Sequence, residues 1–548
     1  MKSVFAICNA VPTPNGKLTP ATGSEINVNR LRAGFLFATI MLSVLLTGCT
    51  SLPANSDRMP SFRFSDTHNS TFGRAFDIQR REHPGSSGFL LLSNGLDAFV
   101  ARAAFARGAE RSIDAQYYML HDDLTGRLFI SELIKASDRG VRVRLLVDDM
   151  DLAGRDLSMA VLNALPNFEV RIFNPFSRDM WRTPQFVTRF GDVTRRMHNK
   201  SFTVDAQVTV LGGRNIGNEY FEANPVIAFG DLDVWGIGPV ARDVSQSFDA
   251  YWNHPLAYPV SSLVAQTPDT NAIAKFRSEL QAFVVTQADS DYIEALRESS
   301  LAKSLQEADI NLHWGQAEVV ADDPDKLISD RDQTNLNLTD ALGPYFLRLN
   351  KELTIFSPYF VAGEEGVEFF SSLVKQGVRV RILTNSLAST DVSVVHAGYA
   401  RYRRALLRAG VDLYEMNRRR PKQQEKLKKN LTGSSQASLH AKSFVLDRKH
   451  VFIGSLNLDP RSMVENSEVG VIIKVPRVAE SMAQWFDKNI QDVAFKVTLE
   501  AEENGIEQLR WTGQEDGQQV IYTVEPHTSI WQRIGINLLR LLPIESQL

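Results

Sequence analysis

Apolar positions gather first between Leu31 and Leu46, where nearly every residue is hydrophobic, and then from about Leu91 onward in short runs separated by helical patterns. Ser112 to Tyr118 and Gly140-Val-Arg-Val-Arg-Leu-Leu146 read as strands, and Leu128-Phe-Ile-Ser-Glu-Leu-Ile134 between them has helical spacing. The order then recurs, with Leu353 to Tyr359, the helical Phe369-Phe-Ser-Ser-Leu-Val374, and Gly377-Val-Arg-Val-Arg-Ile-Leu383. A strand, helix, strand order predicts parallel neighbours with the helix laid across them. Its recurrence at so long a period predicts two copies of one α/β unit rather than a solenoid. Each copy is expected to be a mixed, mainly parallel sheet flanked by helices.

These patterns divide the chain into a leader (1–48), a polar tether (49–88), a first lobe (89–258), a pattern-poor connection (259–339), a second lobe (340–500) and a C-terminal extension (501–548). Within the connection, Ile273 to Phe283 and Ile293 to Glu307 read as helix. The extension carries Ile530, Trp531, Ile534, Leu538 and Leu541 at helical spacing before Pro543. That stripe, with Arg533 and Arg540 beside it, fits either a membrane interface or packing against the body.

The composition is that of a globular protein, with 43% hydrophobic and 23% charged residues. A net charge of -4 gives no overall attraction to nucleic acid, so any recognition of phosphate has to be local. The only cysteines are Cys8 and Cys49, which excludes a disulfide framework and a structural zinc cluster. The apolar leader follows Arg30 and Arg32 and ends in Leu46-Thr47-Gly48-Cys49. An export signal has this form. At about sixteen residues the stretch is short for a membrane span.

The chemistry is carried by a constellation that occurs twice in register. His198-Asn-Lys200, Asp205 and Gly212-Gly-Arg-Asn215 match His440-Ala-Lys442, Asp447 and Gly454-Ser-Leu-Asn457 position by position. A carboxylate follows each, Asp233 in the first copy and Glu468 in the second. Met197 to Val204 reads as a strand, on which residues two apart share a face, so His198 and Lys200 point into one pocket. Asp205 lies at an odd separation from His198 and is assigned, with Asp447, to structure. The glycines allow close backbone approach, and Asn215 and Asn457 offer amide donors. Two such sets suit phosphodiester chemistry: one neutral histidine attacks phosphorus, the other protonates the leaving oxygen, and the roles then exchange. Two lysines and two asparagines would stabilise charge on the non-bridging oxygens. The carboxylates Asp233 and Glu468 would orient the rings. This scheme requires no metal and no cofactor.

The paired motifs resemble the HKD motifs of the phospholipase D superfamily, and longer segments are similar to the bacterial cardiolipin synthases within it. These segments include Asp114-Ala-Gln-Tyr-Tyr118, Leu383-Thr-Asn-Ser-Leu387 and Val395-His-Ala-Gly-Tyr399. The resemblance implies an active site between two duplicated lobes. It implies transfer of a phosphatidyl group to phosphatidylglycerol, from a second phosphatidylglycerol or from phosphatidylethanolamine, through a phosphatidyl-histidine. By the family's order His198 would attack and His440 would act as acid, although the two motifs are alike enough for either order. Ser455 stands where the first copy has Gly213, so a hydroxyl contact is expected on one side only. Water in place of a lipid hydroxyl would make the enzyme a hydrolytic phospholipase D, and nucleases share the paired motifs. A non-catalytic lipid-binding lipoprotein is a further alternative, though it would be expected to have lost at least one motif. The leader resembles a lipoprotein signal, which implies cleavage before Cys49 and a lipid-anchored enzyme at the cell envelope. An uncleaved anchor and a mis-assigned start are the competing readings of that segment.

Three weaker features have two readings each. The basic stretch Asn417 to Ser434, and Arg182, Arg189, Arg195 and Arg196, either hold anionic head groups or are solvated. His396 either serves the acceptor lipid or is an ordinary buried histidine.

Overall fold

The computed structural model describes residues 52–55, 58–224, 227–331, 333–419, 436–501 and 505–540. The leader, Cys49, most of the basic stretch after Asn417, and Leu541 lie outside the described residues.

The first half contributes β1 (Ser87–Leu92), β2 (Ser112–Tyr117), β3 (Arg142–Asp148), β4 (Phe168–Phe173), β5 (Ser201–Val204), β6 (Val208–Gly212), β7 (Ile227–Gly230), β8 (Asp233–Ile237) and β9 (Ala257–Pro259). After β10 (His313–Ala321) the second half supplies β11 (Glu352–Phe356), β12 (Arg379–Asn385), β13 (Asp412–Met416), β14 (Gln436–Leu439), β15 (Ser443–Leu446), β16 (His450–Gly454), β17 (Val469–Lys474) and β18 (Ala494–Ala501). The central order β4–β3–β2–β5–β6–β8 of the first half returns as β13–β12–β11–β15–β16–β17 in the second. Parallel pairing in this ladder is confined to β2–β3–β4 and β11–β12–β13, where helices make the crossovers. The other ladder pairs are antiparallel, so each sheet is mixed with a smaller parallel part than the strand, helix, strand pattern predicted. The physical reason is that β5 and β6, and β15 and β16, are joined by tight hairpins that need no crossover.

The recurring Gly-Val-Arg-Val-Arg segment has a local explanation. The helices Leu124–Asp138 and Gly363–Lys375 end just before it, and Gly140 and Gly377 take φ of 91° and 88°. Their amides bond back to Ser137 and Val374, and the following valines bond to Ala136 and Leu373, which closes each helix with a Schellman motif. The valines of the strand enter the core, while the second arginine of each copy is buried and paired. Arg144 bonds Asp114 and Asp249 at 2.7 Å each, and Arg381 bonds Asp487 and the Thr354 hydroxyl.

The two halves are not separate bodies. β10 pairs through Ser87↔Gly315 with β1 and through Gln316–Ala321 with β17, which fuses both sheets into one ladder. Phe89, Leu211 and Val234 of the first half share one apolar cluster with Val445, Val471 and Val478 of the second. The pattern-poor connection supplies helices Thr270–Gln287, Asp291–Glu298 and Ser300–Glu307, whose Phe276, Leu296 and Leu301 cover the first core. The polar segment before β1, expected as a tether, is also engaged: Phe72 meets Phe105 at 5.4 Å, and Arg142 lies over the Phe64 ring at 4.1 Å. Single aromatics in a polar stretch leave no periodicity to read. Beyond β18, β19 (Glu507–Glu515) and β20 (Gln518–Tyr522) extend the edge, and helix Ile530–Leu539 rests on helix Ser393–Arg408.

Asp205 and Asp447 each open the hairpin turn after the motif strand, with φ of 53° and 52°. The Asp205 carboxylate accepts the backbone amides of Glu110, Arg111 and Ser112, and Asp447 accepts those of Asn350, Lys351 and Glu352. Each therefore clamps the entry to β2 or β11 onto the motif hairpin. Asp205→Ala should lower stability by about 2–3 kcal/mol, because buried amides lose a charged acceptor. Asp205→Asn, which tolerates the left-handed backbone, should lower it by less. Urea unfolding of both variants measures the difference, and equal loss would contradict the clamp.

Candidate active site

The motif histidines precede the strands rather than lie within them, because β5 begins at Ser201 and β15 at Ser443. Each is instead held by a short parallel contact with the opposite half. Met197 pairs with Ser467, and the His198 amide donates to the Ser467 carbonyl at 2.9 Å. Leu439 pairs with Gly230 at the end of the β7–β14 ladder, and the His440 amide donates to the Gly230 carbonyl at 2.8 Å. The residues that end β3 and β12 steady the same segments. Asp148 accepts the Met197 amide at 3.0 Å while ion-paired with buried Arg196, and Asn385 exchanges two 2.9 Å bonds with the Leu439 backbone.

Those contacts set the carboxylates. His198 Nδ1 meets both Glu468 oxygens at 2.9 Å, and His440 Nδ1 meets Asp231 Oδ2 at 2.5 Å. Each ring is thus oriented by the other half, and Lys442 Nζ also lies 3.2 and 3.3 Å from the two ring nitrogens of His440. The motif spacing points to Asp233 for this orienting role, and the structure places it elsewhere. Asp233 is buried against Arg102 at 2.9 Å and accepts the Arg214 amide at 3.2 Å. The ladders explain the shift: Gly212 faces Asp233 and Gly454 faces Gly470, so Glu468 corresponds to Asp231, two residues earlier. Asp231-Leu-Asp233 offers two carboxylates to any motif reading, and only strand register separates them.

The departure at Gly213 and Ser455 follows from the same geometry. A Cβ on Gly213 would lie 2.2 Å from Asp231 Oδ1, so the first copy has no room for a side chain. In the second copy Ser455 Oγ donates to Glu468 Oε2 and accepts the Val469 amide at 3.0 Å.

The lysines are buried beside the rings. Lys200 Nζ donates to the His198 carbonyl at 2.5 Å and Lys442 Nζ to the His440 carbonyl at 2.7 Å. Burial holds both amines below their ordinary range, although Glu468 and Asp231 pull the other way. Burial, with Lys200 and Lys442 next, holds His198 well below the usual histidine range, and it also lowers His440, where Asp231 offsets part of the effect. Burial opposes ionisation of Asp231, but the His440 ring, its hydrogen bond and Lys442 outweigh it, so the carboxyl titrates below the usual range. Glu468 behaves differently: burial pushes it up to about 7 against Lys200 and the Ser455 hydroxyl.

Asn215 donates to the Tyr220 hydroxyl at 2.8 Å and accepts the Met119 amide, while Asn457 donates to Ser462 at 3.3 Å. Three aromatic contacts went unassigned in the sequence. Tyr118 meets the His198 ring edge-on at 4.9 Å, Tyr220 meets His440 at 5.1 Å, and Phe229 stacks on His440. Arg461 bonds the Thr194 carbonyl at 2.7 Å and adds positive charge near His198. Among the described residues, His121, Asp123 and Glu219 bring ligand-type atoms within 4.8 Å of one another. His121 Nδ1 already faces Glu219 at 3.2 Å, and Asp123 caps helix Leu124–Asp138. His396 is buried beside Tyr399 and Glu525. Arg182 and Arg196 are tied to Asp149 and Asp148, and Arg195 to Glu465.

A family model described as "Cardiolipin synthase, PLD-like domain" matches residues 104–252 and 348–490, one match in each half. The chain belongs to this family. It is 40% identical to cardiolipin synthase C of Escherichia coli over 85% of this chain and 97% of that protein. It is 24% identical to cardiolipin synthase B of Salmonella typhi over 77% and 84% of the two chains. A phosphatidylserine synthase structure from Haemophilus influenzae shares the fold at a TM-score of 0.50, with 14% identity, covering 77% of this chain and 92% of that one.

The two aspartates that the motif could not tell apart should separate by experiment. Asp233→Asn breaks a buried pair with Arg102 and should cost about 3–5 kcal/mol of stability. Asp231→Asn should stay close to the parent in thermal melting and lose turnover on the order of a hundredfold, through the orientation and proton affinity of His440. Loss of activity without loss of stability in Asp233→Asn would reverse the two roles.

Proposed function

We propose that this chain is a phosphatidyltransferase that makes cardiolipin from phosphatidylglycerol and a second phospholipid, either phosphatidylglycerol or phosphatidylethanolamine. The observation that carries the reading is the pair of buried histidines, each bonded through Nδ1 to a carboxylate of the opposite half with a buried lysine alongside. In the first step His198 Nε2 attacks phosphorus and the bond to the head-group oxygen breaks, with the proton on that oxygen supplied by His440. In the second step His440 removes a proton from the terminal hydroxyl of phosphatidylglycerol, and that oxygen displaces His198. The order has physical support. Ionised Asp231 offsets part of the burial that lowers His440, whereas His198, beside a Glu468 that titrates near 7, is held well below the usual histidine range and is the better neutral nucleophile. Lys200, Lys442, Asn215 and Asn457 would stabilise the phosphoryl oxygens. An anionic phosphate beside the two buried amines would favour their charged form.

Purified protein in phosphatidylglycerol vesicles, with and without phosphatidylethanolamine, should form cardiolipin by mass spectrometry. Phosphatidic acid alone would make it a hydrolase. His198→Ala should abolish turnover, whereas His440→Ala should lose about 10²–10⁴-fold and keep part of its first step on a donor with a good leaving group. Acid quench of His440→Ala should then leave the phosphatidyl adduct on His198. An adduct on His440 in the reciprocal variant alone would exchange the two roles.

The enzyme is further proposed to be lipid-anchored at the cell envelope through Cys49. Supporting this are the apolar leader and its Leu46-Thr47-Gly48-Cys49 ending. Cys49→Ala should fail to incorporate labelled fatty acid and should leave the membrane fraction. Label found on another residue would refute the assignment.

A further inference from the structure

Helix Ile530–Leu539 turns an apolar face outward. Its N-terminus is closed by a capping box between Ser529 and Gln532, so the helix is well formed. Ile536 and Leu539 turn inward onto Leu387 and Ala397, docking it on helix Ser393–Arg408. On the free side, Ile530, Trp531, Ile534 and Leu538 are exposed by 60%, 77%, 42% and 61%. Trp531, Ile534 and Leu538 are three and four residues apart and share one face. Scattered exposed hydrophobics are ordinary, whereas a contiguous set on one helix marks an interaction surface.

The charge around that face indicates the partner. From Ile530 to Arg540 the helix carries Arg533 and Arg540 and no carboxylate. Arg404 approaches from helix Ser393–Arg408, whose Arg403 is buried and ion-paired with Glu415 and Glu525. Arg540 is held below its ordinary range by partial burial and by Arg403 and Arg404, with Glu525 pulling the other way. Clustered cations beside exposed Trp, Ile and Leu are the chemistry of a helix lying in the interface of an anionic bilayer. The helix is too short to span: among the described residues none is long and apolar enough to cross a membrane. Its docking partner starts two residues after Asp391, which accepts the Tyr359 hydroxyl at 2.7 Å and acts electrostatically on His440.

We propose that the face formed by Ile530, Trp531, Ile534 and Leu538 seats the second half in the head-group region of an anionic bilayer, on the side from which lipid reaches His440. This rests on the reading of the substrate as a membrane lipid.

The test uses full-length protein in vesicles of phosphatidylcholine and phosphatidylglycerol. A benzophenone amino acid at Ile534 should cross-link to lipid, well above the same probe at Leu347, an exposed apolar position outside the helix. Equal labelling at the two positions would overturn the proposal. The triple variant Trp531→Ser, Ile534→Ser, Leu538→Ser should lose vesicle activity on the order of tenfold, as interfacial binding weakens with lost apolar area. It should keep the parent's rate on short-chain phosphatidylglycerol dissolved as monomers. Equal loss on both substrates, or loss on neither, would also overturn it. If the unsubstituted protein turns over neither lipid, the functional reading fails, while the cross-link still decides the surface.

Discussion

Everything at the active site depends on two hydrogen bonds that cross from one half of the molecule to the other. Glu468 orients His198 and Asp231 orients His440, so neither half holds a complete histidine and carboxylate pair. That constraint gives a reason for the features that lock the halves together. β10 belongs to both sheets, β7 pairs in parallel with β14, and one apolar cluster draws on both copies. A relative rotation would separate both ring and carboxylate pairs at once, and a misplacement of about 1 Å is enough to cost activity.

The duplicated halves are not equal. The shorter Asp231 reaches His440 from a position that forbids a side chain at residue 213, whereas the longer Glu468 is held from behind by the Ser455 hydroxyl. The two carboxylates then titrate on opposite sides of their ordinary ranges, Asp231 below and Glu468 above. A symmetric pair of histidines thereby sits in unequal fields, with both rings held below the usual histidine range and His198 further below it than His440.

Burying Lys200 and Lys442 is costly, since each amine bonds a backbone carbonyl and neither bonds a carboxylate directly. The buried carboxylates Glu468 and Asp231 act on both amines and offset part of that cost. Amines held this way are placed to stabilise charge developing on phosphoryl oxygens, as the proposed reaction requires.

The sequence by itself determined the duplication, the strand and helix order of the crossovers, and most of the residues that meet in the pocket. These are local facts, written in a hydrophobic period or in spacings within about twenty residues. It also located Asp205 and Asp447 in the motif, although their part in clamping β2 and β11 follows from the hairpin turn and not from strand parity. What only the tertiary structure decided was pairing at long range. His198 finds Glu468 at a separation of 270 residues and His440 finds Asp231 at 209, and no local pattern ranks Asp231 above Asp233. The sheet's antiparallel majority and the docking of the aromatics before β1 were hidden for the same reason, and whether the C-terminal stripe packs or faces outward was left open. A periodicity states that a residue has an apolar or polar side, whereas its neighbour is chosen by register and by which surfaces close together.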